Sequence, residues 1–392
     1  MKFLRIFFLL LVVGLFFTAR QASSQSTPER KIVVFKSGVS QPERLSLLSR
    51  HQAALGKELR LINAMAVRIS SLAAEKLARD PKILRIDPDV EVYALDFRNL
   101  KVRKPMPTAT PTPTFGTQPI PWGIARINAD DAWNISSGSG VKVAVIDTGI
   151  DRDHPDLDAN LAGCLNFIQS WKTCEDDNGH GTHVSGIIAA ENNNIGVVGV
   201  APQAKIYALK VLNRQGSGYL SDIIEALDWA VANQMQVVNM SLGTSSDVLS
   251  FHEAVKRVNA AGIIQVAAAG NSGPTADSVI YPARYSEVIA VSATDSNNQV
   301  PSWSSRGPEV DLAAPGVNSN ATYLKGGYKI LSGTSMAAPH VTGVVALRLE
   351  DHPGETLTAI ENILESNTDS LPFDPTLVGA GLVDAYKVVT AP

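Results

Sequence analysis

Along the chain the spacing of apolar residues divides the sequence into distinct stretches. Met1-Lys2-Phe3-Leu4-Arg5 leads into an almost unbroken apolar run from Ile6 to Phe17, then into small and polar residues around Ala22, Ser23 and Ser24. This layout predicts a secretory signal peptide over 1–24, since the run is well short of the roughly 20 apolar residues a membrane-spanning helix needs. From Arg30 to Leu95 the pattern predicts a strand over 31–35 and a helix carrying Leu45, Leu47, Leu48 and Leu55. Strands over 59–62 and 66–69, a helix over 72–79 and closing strands over 83–86 and 90–95 follow. A β-α-β-β-α-β order defines a small split-βαβ, ferredoxin-like α+β domain over 30–95.

Pro105, Pro107, Pro111, Pro113 and Pro119, set among threonines, then interrupt any regular element, which predicts an extended linker over 96–118. Beyond it, over 119–389, apolar runs at 141–146, 205–211, 236–240, 263–268 and 288–291 have the look of strands buried on both faces. Segments 182–191, 220–233 and 250–261 between them carry apolar residues at helical spacing. Such alternation predicts an α/β fold with a mostly parallel sheet.

Composition narrows the partners. With 45% hydrophobic residues the chain can bury a large core and a second small one, and a net charge of −4 gives no footprint for nucleic acid. No later segment is long and apolar enough to span a membrane. Export would place the two cysteines, Cys164 and Cys174, where they can pair. A bridge across so short a loop stabilises by roughly 2 to 3 kcal/mol in the chain-entropy model; two free thiols are the alternative.

Ligands of parallel sheets bind beyond the carboxyl ends of the strands. Asp147 follows Val145-Ile146, and Asn271 follows Ala268-Ala269-Gly270. His180 stands in Asn-Gly-His-Gly-Thr-His and Ser335 in Ser-Gly-Thr-Ser-Met-Ala-Ala-Pro-His, each at the entry to an apolar helix. Taken singly, Asp147 could cap a helix, His180 and His183 could be structural or share a metal, and Ser335 could be an N-cap.

Together these segments resemble the three signature blocks of the subtilase family, in the chain order Asp, His, Ser, and the resemblance extends over about 118–389. It implies a three-layer subtilisin-like fold and a serine endopeptidase. Ser335 would be the nucleophile, His180 the general base and Asp147 its orienting carboxylate. Asn271 and the Ser335 N–H would stabilise the oxyanion. Met336 follows the nucleophile, so peroxide is expected to inactivate. Pro339 is expected in the first helical turn.

The family's substrate cleft maps onto Gly216-Ser217-Gly218 with Leu220, onto Ser241-Leu242-Gly243, and onto Ala268-Ala269-Gly270. Where relatives that accept large aromatic side chains have glycine at the pocket base, this chain has Ile280. The shorter pocket should favour leucine, methionine or alanine before the cleaved bond. The family's tight calcium site maps onto Gln118, Asp156 and Asn193 through side chains and onto Glu191, Ile195 and Val197 through carbonyls. A weaker cation site maps onto Ala283, Tyr285, Val288, Glu309 and Asp311. Segment 30–95 resembles the family's inhibitory propeptide, its tail Val92-Tyr93-Ala94-Leu95 entering the cleft for cleavage after Leu95. Implied partners are peptide substrates and the chain's own propeptide, in a secreted monomer. A silent binding module of the same fold is the main alternative. An esterase of another α/β class would require a Gly-x-Ser-x-Gly turn, which Ser335 lacks.

Overall fold

The computed structural model describes residues 27–95 and 118–392. The leader and the linker, apart from Gln118, lie outside the described residues.

In the amino-terminal unit, strands Glu29–Phe35, Ala54–Leu59, Ala64–Ile69 and Ile83–Pro88 form one sheet in the order second, third, first, fourth. Period-two alternation divides its two faces. Val33 and Phe35 pack on Leu47, Leu48 and Leu77 of the helices Gln41–Arg50 and Ser71–Leu77. Ile32 and Val34 point the other way and join a core shared with the large domain.

Three expectations need correction here. The first helix stops at Arg50 rather than reaching Leu55, because Gln52 turns left-handed (φ 55°) and Leu55 becomes a half-exposed strand residue. The strand expected over 59–62 begins earlier, at Ala54. Residues Arg60–Ile62 form a 3-10 turn closed by left-handed Asn63, and the buried pair Leu59 and Ile62 fits its three-residue period. The closing segment, Glu91–Ala94, leaves this sheet and pairs inside the large domain.

There, seven parallel strands run from edge to edge as Leu312–Pro315, Ile289–Thr294, Ile264–Ala268, Val237–Met240, Lys142–Asp147, Lys205–Lys210 and Leu161–Asn166. The chain enters at Lys142–Asp147, lays Leu161–Asn166 at one edge, fills the gap with Lys205–Lys210, and then builds outward on the other side. A crevice therefore opens at the carboxyl end of Lys142–Asp147. Val143 and Val145 face the helices His180–Ala189 and Thr334–Asp351, whereas Ala144 and Ile146 face Leu220–Ala232 and Leu249–Ala260. The result is a three-layer α/β fold. Two edge strands, Leu161–Asn166 and Leu312–Pro315, were not anticipated, since Leu-Ala-Gly-Cys-Leu-Asn and Leu-Ala-Ala-Pro have no β-branched residues.

Candidate active site

Asp147 is the last residue of the central strand and His180 the first of its helix; both are fully buried. His180 Nδ1 lies 2.8 and 2.9 Å from the two Asp147 oxygens, and the Thr148 N–H donates to Asp147 Oδ1 at 2.7 Å. A carboxylate opposite Nδ1 fixes the proton there, which leaves Nε2 as the basic nitrogen. His183 does not share this arrangement. Its Nε2 is directed at the Ser319 and Lys329 carbonyls, and burial pushes its pKa down to about 3, so it is a neutral structural residue.

Ser335 is the second residue of the helix Thr334–Asp351, and its hydroxyl donates to the Ser241 carbonyl at 2.9 Å. The Ser241 hydroxyl in turn donates to the Ser335 carbonyl at 3.0 Å. Pro339 accounts for this return bond. It is the sixth helical residue, not a first-turn one as expected, and without an N–H it leaves the Ser335 carbonyl free. Ser241 fills that vacancy and ties the serine turn to the cleft wall. Met336 is fully buried behind the serine.

Glu91–Ala94 lies as the middle strand of a three-stranded antiparallel sheet. Leu242 and Gly243 pair with Ala94 and Tyr93 on one side, and Ser217, Gly218 and Tyr219 pair with Tyr93, Val92 and Glu91 on the other. Ala94 N–H donates to the Gly216 carbonyl at 2.8 Å. Val92 is fully buried in the same apolar cluster as Leu220. The Leu95 carbonyl receives the Asn271 amide at 2.7 Å, while Asn271 Oδ1 is fixed by the Thr334 N–H and hydroxyl, both at 3.0 Å. A Cβ on Gly333 would stand 2.7 Å from that carbonyl, so only glycine admits it.

Ile280 follows the wall Ala268-Ala269-Gly270, and its N–H donates to the Ala269 carbonyl at 3.0 Å. Its side chain fills the space where a Cβ on Gly243 or Gly270 would stand, 2.5 and 3.2 Å from its nearest atoms. Ile280 thus packs between the two glycines of the pocket. Cys164 and Cys174 are joined by a disulfide.

The six residues mapped to calcium converge on one loop. Asp156 Oδ2 accepts from Val197 N–H at 2.9 Å, but its buried Oδ1 has no hydrogen-bond partner, and burial raises the Asp156 pKa. The Gln118 amide sits among the Glu191 carbonyl (2.8 Å), the Val197 carbonyl (2.5 Å) and the Asn193 N–H (3.1 Å). A hard cation suits a buried carboxylate oxygen without a hydrogen-bond partner beside a loop that carries amide and carbonyl oxygens, so the residue types fit the ion. Among the described residues no cluster of three His, Cys, Asp or Glu side chains is placed to hold a metal; in this set Asp156 is the one carboxylate mapped as a ligand, Glu191 being mapped through its backbone carbonyl. At the weaker site, Ala283, Tyr285, Val288, Glu309 and Asp311 line one pocket. Glu361 and Glu365 line it too, which sequence reasoning missed because they lie on a distant helix, Leu357–Ser366. Burial and then Asp311 raise Glu361 to about 7, and burial and then Glu365 raise Asp311 to about 6.

Sequence reasoning also missed how the amino-terminal sheet meets the two helices behind the cleft. Asp89, almost wholly buried, accepts from Ser221 N–H at 2.8 Å and its hydroxyl at 2.9 Å, and pairs with Arg30 at 2.8 Å. Asp87 accepts from the Ser250 hydroxyl at 2.5 Å. Each carboxylate thus meets the positive end of a helix, where the first N–H groups have no intrahelical partner. Neither aspartate stands near a reactive residue in sequence, so no motif signals it.

A parallel α/β sheet with Asp, His and Ser at its carboxyl edge defines the class of protein as a hydrolase built for nucleophilic chemistry. Comparison with known proteins gives the family. Residues 138–381 match the model of the subtilase family. The chain is 41% identical over 388 residues, 98% of both chains, to a thermostable alkaline protease of Halalkalibacterium halodurans. It is 39% identical over 389 residues to an alkaline protease of Shouchella clausii, covering 96% of this chain and 95% of that one. It is 49% identical over 269 residues to Subtilisin Savinase of Lederbergia lenta, covering 68% of this chain and 98% of that protein. The chain belongs to the subtilase family and is a serine endopeptidase.

Proposed function

We propose that the protein is exported as a zymogen, cleaves itself after Leu95, and then hydrolyses peptide bonds through an acyl-enzyme on Ser335. The observation that carries this reading is the Leu95 carbonyl held by the Asn271 amide, on a strand paired on both sides. That is the pose of a peptide at its scissile bond, with the amide at the site where negative charge would develop. Segment 30–95 would inhibit by occupying the same cleft after cleavage. Buried Val92 and the two aspartate contacts at the helix ends support tight docking.

The geometry supports the following chemistry. A hydroxyl has one proton, and in this pose Ser335 gives it to the Ser241 carbonyl. Turned toward His180, the hydroxyl would give its proton to Nε2 as Oγ attacks the carbonyl carbon. The imidazolium so formed is stabilised by Asp147 and returns the proton to the leaving amine. Asn271, joined by the Ser335 N–H at the helix start, takes the charge on the tetrahedral oxygen.

Packing of Ile280 against Gly243 and Gly270 supports a preference for small or medium apolar side chains before the cleaved bond. Calcium would be held by Gln118, Asp156, Glu191, Asn193, Ile195 and Val197, where it would bind the loop and neutralise the buried Asp156 carboxylate. The leader pattern supports secretion. No helix among the described residues is long and apolar enough to cross a membrane. The mature enzyme is proposed to act as a monomer. N-terminal sequencing of the wild type and of Ser335→Ala tests the reading. Wild type should begin at Asp96 or at a later trimmed position, and the variant should retain 30–95. Cleavage after Leu95 in purified Ser335→Ala would refute self-processing.

A further inference from the structure

One strand away from Asp147 sits a buried charge that the proton transfers leave unused. Lys210 ends the strand Lys205–Lys210, faces Asp147 across the parallel register and is 5% exposed. A buried ammonium is costly unless acceptors replace water. Two do so: the Thr148 carbonyl at 2.5 Å and Asp177 Oδ1 at 2.7 Å.

Both acceptors belong to segments that carry the proposed acid–base pair. Thr148, wholly buried, donates its N–H to Asp147 Oδ1 at 2.7 Å and accepts on its hydroxyl the N–H of Gly181, next to His180, at 2.8 Å. Asp177 lies three residues before His180. Its neighbour Asp176 collects the N–H groups of Asn178, Gly179 and Thr182 at 2.8 to 3.0 Å. The same stretch is tied back to the Asp147 loop, since Ile150 N–H donates to the Cys174 carbonyl at 3.2 Å and Asp176 N–H to the Ile150 carbonyl at 3.0 Å. Lys210 therefore clamps the Asp147 loop to the entry of the His180 helix, through Asp177 and through Thr148, whose N–H and hydroxyl contact the two segments.

We propose that Lys210 is a positioning residue for the acid–base pair: by binding the Thr148 carbonyl it holds Thr148 where its N–H orders Asp147 and its hydroxyl orders the His180 turn. This rests on the reading of Asp147 and His180 as catalytic. Lys210 touches neither substrate nor reacting atoms. Its loss should lower turnover with little effect on substrate binding, because the Lys210, Thr148 and Asp177 side chains make their hydrogen bonds to each other's segments and not to the cleft walls at 216–218 and 241–243.

The test uses mature enzyme produced from the full chain, with active sites counted by burst titration. Lys210→Met should lower kcat per titrated site by about tenfold or more, as expected for a misplaced catalytic group, while KM stays within about twofold. Thr148→Val should also lower kcat. The double variant should fall no more than about twofold below the weaker single variant, because the two residues act in series. A purely structural role would instead lower Tm and the yield of titratable sites while kcat per site stayed at the wild-type value, and that result overturns the proposal. So do losses confined to KM, or losses that multiply in the double variant. If Lys210→Met yields no mature enzyme, Asp177→Asn carries the test: kcat per site should fall severalfold at constant KM, and an unchanged kcat refutes the clamp. Full activity in His180→Ala would sink the reading of the site itself rather than the role of Lys210.

Discussion

Asp89→Ala should loosen the amino-terminal domain from the enzyme more than any other single contact would suggest from its distance to the cleft. The carboxylate accepts two hydrogen bonds from Ser221, at 2.8 and 2.9 Å, at the start of the helix Leu220–Ala232. Hydrogen bonds to a charged group contribute about 1.5 to 3 kcal/mol, and loss of a helix cap costs about 1 kcal/mol. These overlap, since one of the bonds is the cap. Arg30 is not stranded: it keeps the Ser221 hydroxyl at 3.1 Å and the Tyr219 ring at 3.7 Å. A net loss of about 3 kcal/mol corresponds to about 100-fold in affinity. The assay adds separately produced segment 30–95, wild type or Asp89→Ala, to mature enzyme and measures its inhibition constant with a chromogenic peptide. Circular dichroism of the two free segments corrects for any change in their own folding. A corrected ratio below about threefold would show that the helix-end contact contributes nothing to inhibition, and the docking argument would fail.

Other outcomes follow from the same geometry. Ile280→Gly should deepen the pocket and raise kcat/KM for phenylalanine relative to leucine substrates by about 1 to 3 kcal/mol, about 5- to 150-fold; an unchanged ratio means that Ile280 does not bound the pocket. Chelation should lower the Tm of mature enzyme, and Asp156→Asn should remove most of that response; a Tm indifferent to chelator counts against the calcium site. Glu361 has its folded pKa raised to about 7, so its protonated form is favoured in the native state and stability is lost as pH rises from about 4.5 through 7. Glu361→Gln, measured with chelator present, should therefore stabilise the fold at pH 8 by about 1 kcal/mol after allowing for its partial exposure, read as a higher Tm, and change nothing near pH 4.5. A gain at low pH instead would reverse the sign of the argument.

Much of the site could be seen in the sequence because its chemistry is concentrated at element ends. Asp147, His180 and Ser335 stand where apolar runs begin or stop, and Asn271 closes the run Ala268-Ala269-Gly270. What escaped detection depends on contacts between distant segments. Ser241 binds Ser335 because Pro339 withholds an N–H, a relation among residues 94 and 4 positions apart. Glu361 reaches Asp311 from another helix, and Lys210 reads as an ordinary strand end until burial shows otherwise. In the amino-terminal unit, Leu55 misled because apolar spacing alone cannot register the left-handed turn at Gln52 that separates it from the helix. The closing strand was legible as a strand, but its partners were not, since pairing is a property of the folded sheet.

Treatment of mature enzyme with a phosphonylating reagent, followed by mass spectrometry, tests the central claim most directly. One adduct per molecule should form on the peptide carrying Ser335, in step with loss of activity, and the His180→Ala variant, freed of segment 30–95 by added wild-type enzyme and repurified, should label far more slowly. Inactivation with the adduct on any other residue, or full activity with Ser335 labelled, would contradict the assignment of Ser335 as nucleophile.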